Sequence, residues 1–170
     1  MRIFEARYLD MIARCLREDQ EFGVAMIVEG SEVGPARTTH VGTTARVCDF
    51  DRSSDGLLNV LARGARRFKI HQVATQPDGL YVAEVEFLPE SPPIAVPDEF
   101  EALASQLREV FPQVSEWYAE SAPRFEDAAW LSARFAELVP LRLSERQQCL
   151  EMDDPIARLA YIRERLLAPQ

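Results

Sequence analysis

A chain of 170 residues that is 47% hydrophobic and 28% charged can bury one substantial core, as a single domain or a small domain with a helical extension. Its net charge of −9 argues against the phosphate backbone of a nucleic acid as a partner. No stretch approaches the roughly 18 apolar residues of a membrane span, and Glu5 and Asp10 stand where a signal peptide would be basic and then apolar. We therefore expect a soluble globular protein in the cytoplasm.

The first predicted element is an amphipathic helix from about Glu5 to Arg17. Tyr8, Ile12 and Cys15 recur there at helical spacing between charged residues. We expect this apolar face to pack on a core.

Short β-type runs separated by turn residues fill residues 22–88: FGVAMIV, THVGTTARV, LLNVLA, RRFKIHQVAT and LYVAEVEFL. DRSSDG (51–56) and QPDG (76–79) have the composition of hairpin turns. In the last run the apolar side chains alternate with glutamates and share one face: Tyr81, Ala83, Val85 and Phe87. The runs predict an antiparallel sheet or a small barrel.

The proline-rich segment PESPPIAVP (89–97) cannot continue a sheet ladder and predicts an extended connector between a β half, 1–90, and an α half, 91–170. In the α half, an apolar stripe begins at Phe100, and Pro112 must kink or end its helix. Three further helices are predicted: Asp127 to Leu138, one with a capping box of Ser144 and Gln147, and one that begins at Asp154 and Pro155. We expect a small helical bundle.

Residue types that commonly carry chemistry are few. Cys15, Cys48 and Cys149 are far apart and form no CxxC pair, which argues against a disulfide framework or a zinc site. His40 and His71 lack the HExxH or His-Asp-Ser context of metal or nucleophilic catalysis. We expect no catalytic residue, metal or cofactor; a hydrolase that uses one of the cysteines is an alternative, and it needs a thiol of low pKa beside a base.

One basic run, Arg63, Arg66, Arg67 and Lys69, is interleaved with Phe68. Such a run could hold an acidic peptide or RNA. Alternation along a strand makes a solvated sheet face the commoner outcome.

The stretch RIFEARYLDMIARC, residues 2–15, resembles a line close to RIFEPRYLDMV in the N-terminal substrate-recognition domain of bacterial Lon proteases and its stand-alone relatives. Ala6 replaces the usual proline, and Arg146 replaces a lysine of the helical half. Further matching stretches cover nearly the whole chain: FGV at 22–24, VGTTA at 41–45, GARRFKI at 64–70, YVAEVE at 81–86, and a pattern from Leu141 to Leu159.

The resemblance implies an α+β fold in which a PUA-like β pseudo-barrel, a small antiparallel barrel, precedes a C-terminal helical bundle. It implies a non-catalytic module that binds unfolded or apolar protein segments, with a protease as a candidate partner; an RNA-binding PUA-like module is the alternative. The ATPase and the serine–lysine protease of full-length Lon are not expected here. No glycine is followed by lysine, as a nucleotide-binding loop requires, and Lys69 is the sole lysine that could serve as the general base of a serine–lysine dyad.

Five residues are candidates for peptide contact, although burial in the core would explain the four aromatic ones equally well or better. They are Phe4, Tyr8, Arg66, Phe68 and Tyr81.

The start of the chain departs from the family pattern, in which a strand such as LPLFPLxxVLFPG usually precedes RIFE. Here Met1 directly precedes Arg2. Without the usual strand, one edge of the sheet is expected to be unpaired. Because an unpaired sheet edge promotes association, we expect reduced stability or a homodimer through that edge.

Overall fold

The computed structural model describes residues 1–31, 36–53, 56–118 and 122–167 and has two compact units, Met1–Glu90 and Ser91–Gln170. The elements of the first unit are β1 (Arg2–Ile3), α1 (Ala6–Glu18), β2 (Phe22–Val24), β3 (Ile27–Gly30), β4 (Ala36–Thr38), β5 (Val41–Arg52), β6 (Leu58–Thr75) and β7 (Tyr81–Phe87). Those of the second are α2 (Glu101–Val110), α3 (Ala128–Leu138), α4 (Leu143–Glu151) and α5 (Pro155–Leu167), with short 3₁₀ turns around α2. The fold class is α+β.

The 18-residue strand β6 organises the first unit. β5 pairs along one of its edges, while β1 and β7 pair with opposite ends of the other edge. β2 adds to the outer edge of β5, and β3 and β4 form a separate hairpin. The expectation of two runs at 57–62 and 66–75 was wrong, because register shifts between β5 and β6 keep the ladder continuous past Gly64.

The predicted small barrel is not closed within the described part of the chain. There β2 pairs only with β5, and β7 pairs only with β6. The single run expected at 22–28 is divided between β2 and β3, because its two halves belong to different sheets.

Helix α1 confirms the amphipathic helix expected from the sequence to within one residue at each end. Ile12 and Cys15 are buried in a cluster with Phe22, Ala45 and Val60. Burial of this apolar stripe fixes α1 against β2, β5 and β6.

The hairpin turn predicted at 76–79 is confirmed. The N–H of Gly79 donates to the carbonyl of Gln76 at 2.8 Å, and Gly79 adopts a φ of +84°, which favours glycine. The other predicted turn, at 51–56, lies partly outside the described residues, and β5 extends into it as far as Arg52.

In the second unit the apolar faces of the helices enclose one core, whose fully buried members include Leu131, Leu159 and Ile162. The helix starts predicted at Asp127 and Asp154 are confirmed. A carboxylate oxygen of Asp127 accepts a hydrogen bond from the N–H of Ala129 at 3.0 Å. In the same way, a carboxylate oxygen of Asp154 accepts one from the N–H of Ile156 at 2.8 Å. As expected, α2 ends before the proline at position 112, which lies within a 3₁₀ turn.

The capping box predicted at Ser144 and Gln147 was wrong. Helix α4 begins at Leu143, directly after its N-cap residue, Arg142. The carboxylate of Glu145 accepts a bond from the guanidinium of Arg142 at 2.7 Å and another from its backbone N–H at 2.9 Å. The guanidinium bond first, and then the backbone bond, lower the pKa of Glu145. Because these bonds are charge-assisted, they are stronger than those of a neutral serine cap.

Two polar contacts also mark the second unit. The buried guanidinium of Arg158 donates to the hydroxyl of Ser132 at 3.1 Å and to the carbonyl of Met152 at 2.5 Å. The hydroxyl of Tyr118 donates to a carboxylate oxygen of Glu137 at 2.7 Å.

No helix in the described ranges is long and apolar enough to cross a membrane.

Candidate functional site

The first unit contains a large open cleft with a volume of about 1280 Å³. Its walls come from α1 and the residues before it, from β2, from the β3–β4 hairpin, and from β5, β6 and β7. Sites for small molecules usually measure roughly 300–1,000 Å³. The cleft is therefore large enough for a stretch of polypeptide.

Phe68 of β6 forms the floor of the cleft, and its side chain is only 4% exposed. A Cβ atom on Gly42 would lie 2.5 Å from the carbonyl oxygen of Val24 and 2.6 Å from Cζ of Phe68. A Cβ atom on Gly23 would lie 3.3 Å from the same ring carbon. The ring thus packs directly on the backbone of β2 and β5, and it shapes the cleft more than it offers contact area.

Strand β7 forms one wall. Phe87 is 45% exposed, and the guanidinium of Arg66 lies over its ring, 3.7 Å from the ring centroid. At the other end of β7, the hydroxyl of Tyr81 accepts the backbone N–H of Ala36 at 3.0 Å. This bond holds the start of β7 beside the β3–β4 hairpin.

The residues just before α1 and the start of that helix form a second wall, which includes Phe4 at 56% exposed. Arg7 donates to the carbonyl of Gly79 at 2.6 Å, pairs with Glu5 at 2.9 Å, and lies 4.7 Å from the ring centroid of Tyr8. The hydrogen bond to Glu5 raises the pKa of Arg7. These contacts fasten the start of α1 to the β6–β7 turn.

The five residues predicted to contact polypeptide all lie along this one cleft, although they are far apart in the sequence: Phe4, Tyr8, Arg66, Phe68 and Tyr81. Their contact with a ligand stays a prediction. Sequence reasoning missed Phe87, although its alternation with Tyr81 on β7 was a signal that could have identified it.

The basic run of β6 does not act as one surface. Arg66 lines the cleft, whereas Arg67 donates to the carbonyl of Pro89 at 3.3 Å. Arg63 and Lys69 are exposed and are not among the lining residues.

The arrangement of titratable groups gives no support to the cysteine-hydrolase alternative. Burial raises the pKa of both Cys15 and Cys149, which is the opposite of what a thiolate nucleophile needs. His71 lies 3.1 Å from a carboxylate oxygen of Glu86, and both side chains are exposed. In the part of the chain that the structure describes, no group of three or more His, Cys, Asp or Glu residues is placed to hold a metal ion.

Comparison with solved structures gives a close relative in fold. The chain superposes on the Lon N-terminal domain protein from Xanthomonas campestris with a TM-score of 0.78 at 32% identity, covering 99% of this chain and 88% of that one.

Curated relatives are matched over part of their length. The Lon protease of Trichlorobacter lovleyi is 28% identical over 141 residues, which are 78% of this chain and 17% of that protein. Protein cereblon of Gallus gallus is 30% identical over 93 residues, which are 53% of this chain and 20% of that protein. The chain thus spans a fifth or less of these two relatives.

A family model described as the ATP-dependent protease La (LON) substrate-binding domain matches residues 1–168. The match is to the substrate-binding domain, and it confirms the resemblance carried by RIFEARYLD. Since it extends over nearly the whole chain, the chain belongs to the LON substrate-binding domain family.

Proposed function

We propose that this chain is a non-catalytic module that binds unfolded or apolar polypeptide segments in the cleft of its first unit. The observation that carries the proposal is an open cleft of about 1280 Å³ with exposed aromatic side chains on two walls, in a chain of the LON substrate-binding domain family. Exposed apolar surface that lines a groove is typical of a site for a protein segment.

Burial of the exposed aromatic side chains by a ligand contributes to the free energy of binding. Phe4 and Phe87 are 56% and 45% exposed, so roughly half of each side chain remains available for burial by a ligand. Full burial of a phenylalanine contributes roughly 1.5–3 kcal/mol, so each of these contributes about 1 kcal/mol, or about fivefold in affinity.

The test measures binding of a fluorescent unfolded polypeptide to the purified chain, with the folded form of the same polypeptide as a control. Phe4→Ala and Phe87→Ala should each weaken binding about fivefold. Phe50→Ala is the matched control, because Phe50 is 53% exposed but does not line the cleft. Equal affinity for the folded and unfolded forms, or equal losses in all three variants, would contradict the proposal.

The partner and the class of fold belong to the same proposal. A protease that receives the bound segment is the expected protein partner, and the cytoplasm is the expected location.

We assign the β-rich subdomain, 1–90, to the PUA-like pseudo-barrels, with 91–170 as the helical subdomain of one Lon N-terminal-like domain. Long antiparallel strands with a separate hairpin, placed around a cleft, support this assignment.

A homodimer through a sheet edge is also proposed. Within the described residues β7 pairs with β6 alone, so its other edge has no strand partner there. Exposed edges favour strand-to-strand association. Sedimentation from about 1 to about 100 μM should show a dimer fraction that rises with concentration. A monomer over the whole range would contradict this part of the proposal.

A further inference from the structure

The charge of the cleft differs in sign from the charge of the unit that contains it. Residues 1–90 carry 11 basic and 14 acidic side chains. The cleft lining instead carries five arginines against two carboxylates. The arginines are Arg2, Arg14, Arg37, Arg46 and Arg66, and the carboxylates are Asp19 and Glu21.

Both lining carboxylates already have arginine partners. Asp19 pairs with Arg46 at 2.8 Å, and Glu21 lies 3.9 Å from Arg66. A cationic ligand would have to compete with these arginines. An anionic ligand would meet an excess of three positive charges within the lining.

The arginines come from five different elements, β1, α1, β4, β5 and β6, so positive charge is distributed around the cleft. Arg37 also pairs with Glu29, outside the lining, at 3.1 Å, but the two side chains are 72% and 73% exposed. A pair so exposed is weak, and it leaves Arg37 able to turn toward a ligand.

Salt limits the range over which these charges act. The Debye length is about 10 Å at 0.1 M salt, so a lining arginine acts on a charged group of the ligand that lies within about that distance. Because the arginines come from five elements, charged groups at different places along a bound segment can each meet one.

We infer that the cleft selects apolar polypeptide segments that carry carboxylates and discriminates against segments that carry lysine or arginine. The inference rests on the proposed function and adds the class of segment that is bound. The apolar walls supply contact area, and the arginines supply selectivity through charge complementarity.

Three peptides with the same apolar core test the inference, flanked by neutral residues, by two glutamates or by two lysines. At about 50 mM salt the glutamate peptide should bind about threefold to tenfold more tightly than the neutral one, and the lysine peptide more weakly by a similar factor. The differences should vanish at about 500 mM salt. Equal binding of all three would overturn the inference and leave the proposed function standing, whereas binding of none would contradict the proposed function itself.

A pair of variants locates the effect. Arg14→Gln with Arg37→Gln should reduce the ratio of affinities for the glutamate and lysine peptides to about its cube root, since two of the three excess positive charges in the lining are removed. Arg17→Gln with Arg52→Gln is the matched control, because both are exposed arginines outside the lining. Equal changes in both pairs would overturn the assignment to the cleft. Labelled RNA that displaces the glutamate peptide would overturn the choice of polypeptide as the ligand.

Discussion

Replacement of Gly42 by alanine should destabilise the first unit, because no room exists for one more carbon atom. The new Cβ would lie 2.5 Å from the carbonyl oxygen of Val24 and 2.6 Å from Cζ of Phe68, whereas carbon atoms in good contact are about 3.5–4 Å apart. Both partners are constrained, since Val24 is paired with Thr43 and the Phe68 ring is buried. Overpacking of this kind costs about 1–3 kcal/mol, and the double clash places Gly42→Ala near 3 kcal/mol.

Thermal unfolding followed by circular dichroism measures the effect. For a chain of this length, a loss of about 3 kcal/mol lowers Tm by about 6–12 °C if unfolding is a single transition. Gly64→Ala is the control, because its Cβ would meet only Cγ2 of Thr43, at 3.3 Å, and we expect a change within about 0.5 kcal/mol. If Gly42→Ala and Gly64→Ala have the same Tm, the packing of Phe68 on β2 and β5 is not the reason for glycine at position 42.

Three other predictions concern thiols, a phenol and a buried cation. In the native protein one cysteine should react rapidly with a thiol reagent, and Cys48→Ser should abolish that phase, because Cys15 and Cys149 are buried; a persistent fast phase would contradict this. Burial and the bond to a carboxylate raise the pKa of Tyr118 to about 12, so its contribution to stability is present below pH 10 and is lost as the pH rises through about 12. Absorbance titration should show that late step, and Tyr118→Phe should remove it. Arg158→Leu should lower the free energy of unfolding by about 1–3 kcal/mol in denaturant titrations, because its two acceptors lose a buried donor, and an unchanged midpoint would refute that role.

Local patterns in the sequence predicted most elements of the fold. The stripe of α1, the turn at Gly79 and the helix starts at Asp127 and Asp154 depend on neighbours within a few residues, and the structure confirms all of them. The cap of α4 was missed, because an arginine is rarely an N-cap residue and the bond depends on the position of Glu145.

The candidate site was harder to predict, because it depends on which side of the sheet encloses a cleft. Alternation placed Tyr81 and Phe87 on one face of β7, but the same period of two describes a face that packs on a core and one that lines a groove. The arginine excess was also hidden, since residues as distant as Arg2 and Arg66 meet only after folding.

The long strand β6 gives the cleft a floor and walls of unequal rigidity. Phe68 is paired on both sides, with Gly42 of β5 and with Phe87 of β7, whereas Phe4 lies outside any strand. Amide hydrogens held in a ladder on both sides exchange with solvent only when a larger unit opens. We therefore expect the amides of the floor to exchange slowly and the amide of Phe4 rapidly. On the proposed function, segments of different shape are then accommodated by movement at Phe4, ahead of the fastened start of α1, while the floor keeps its form.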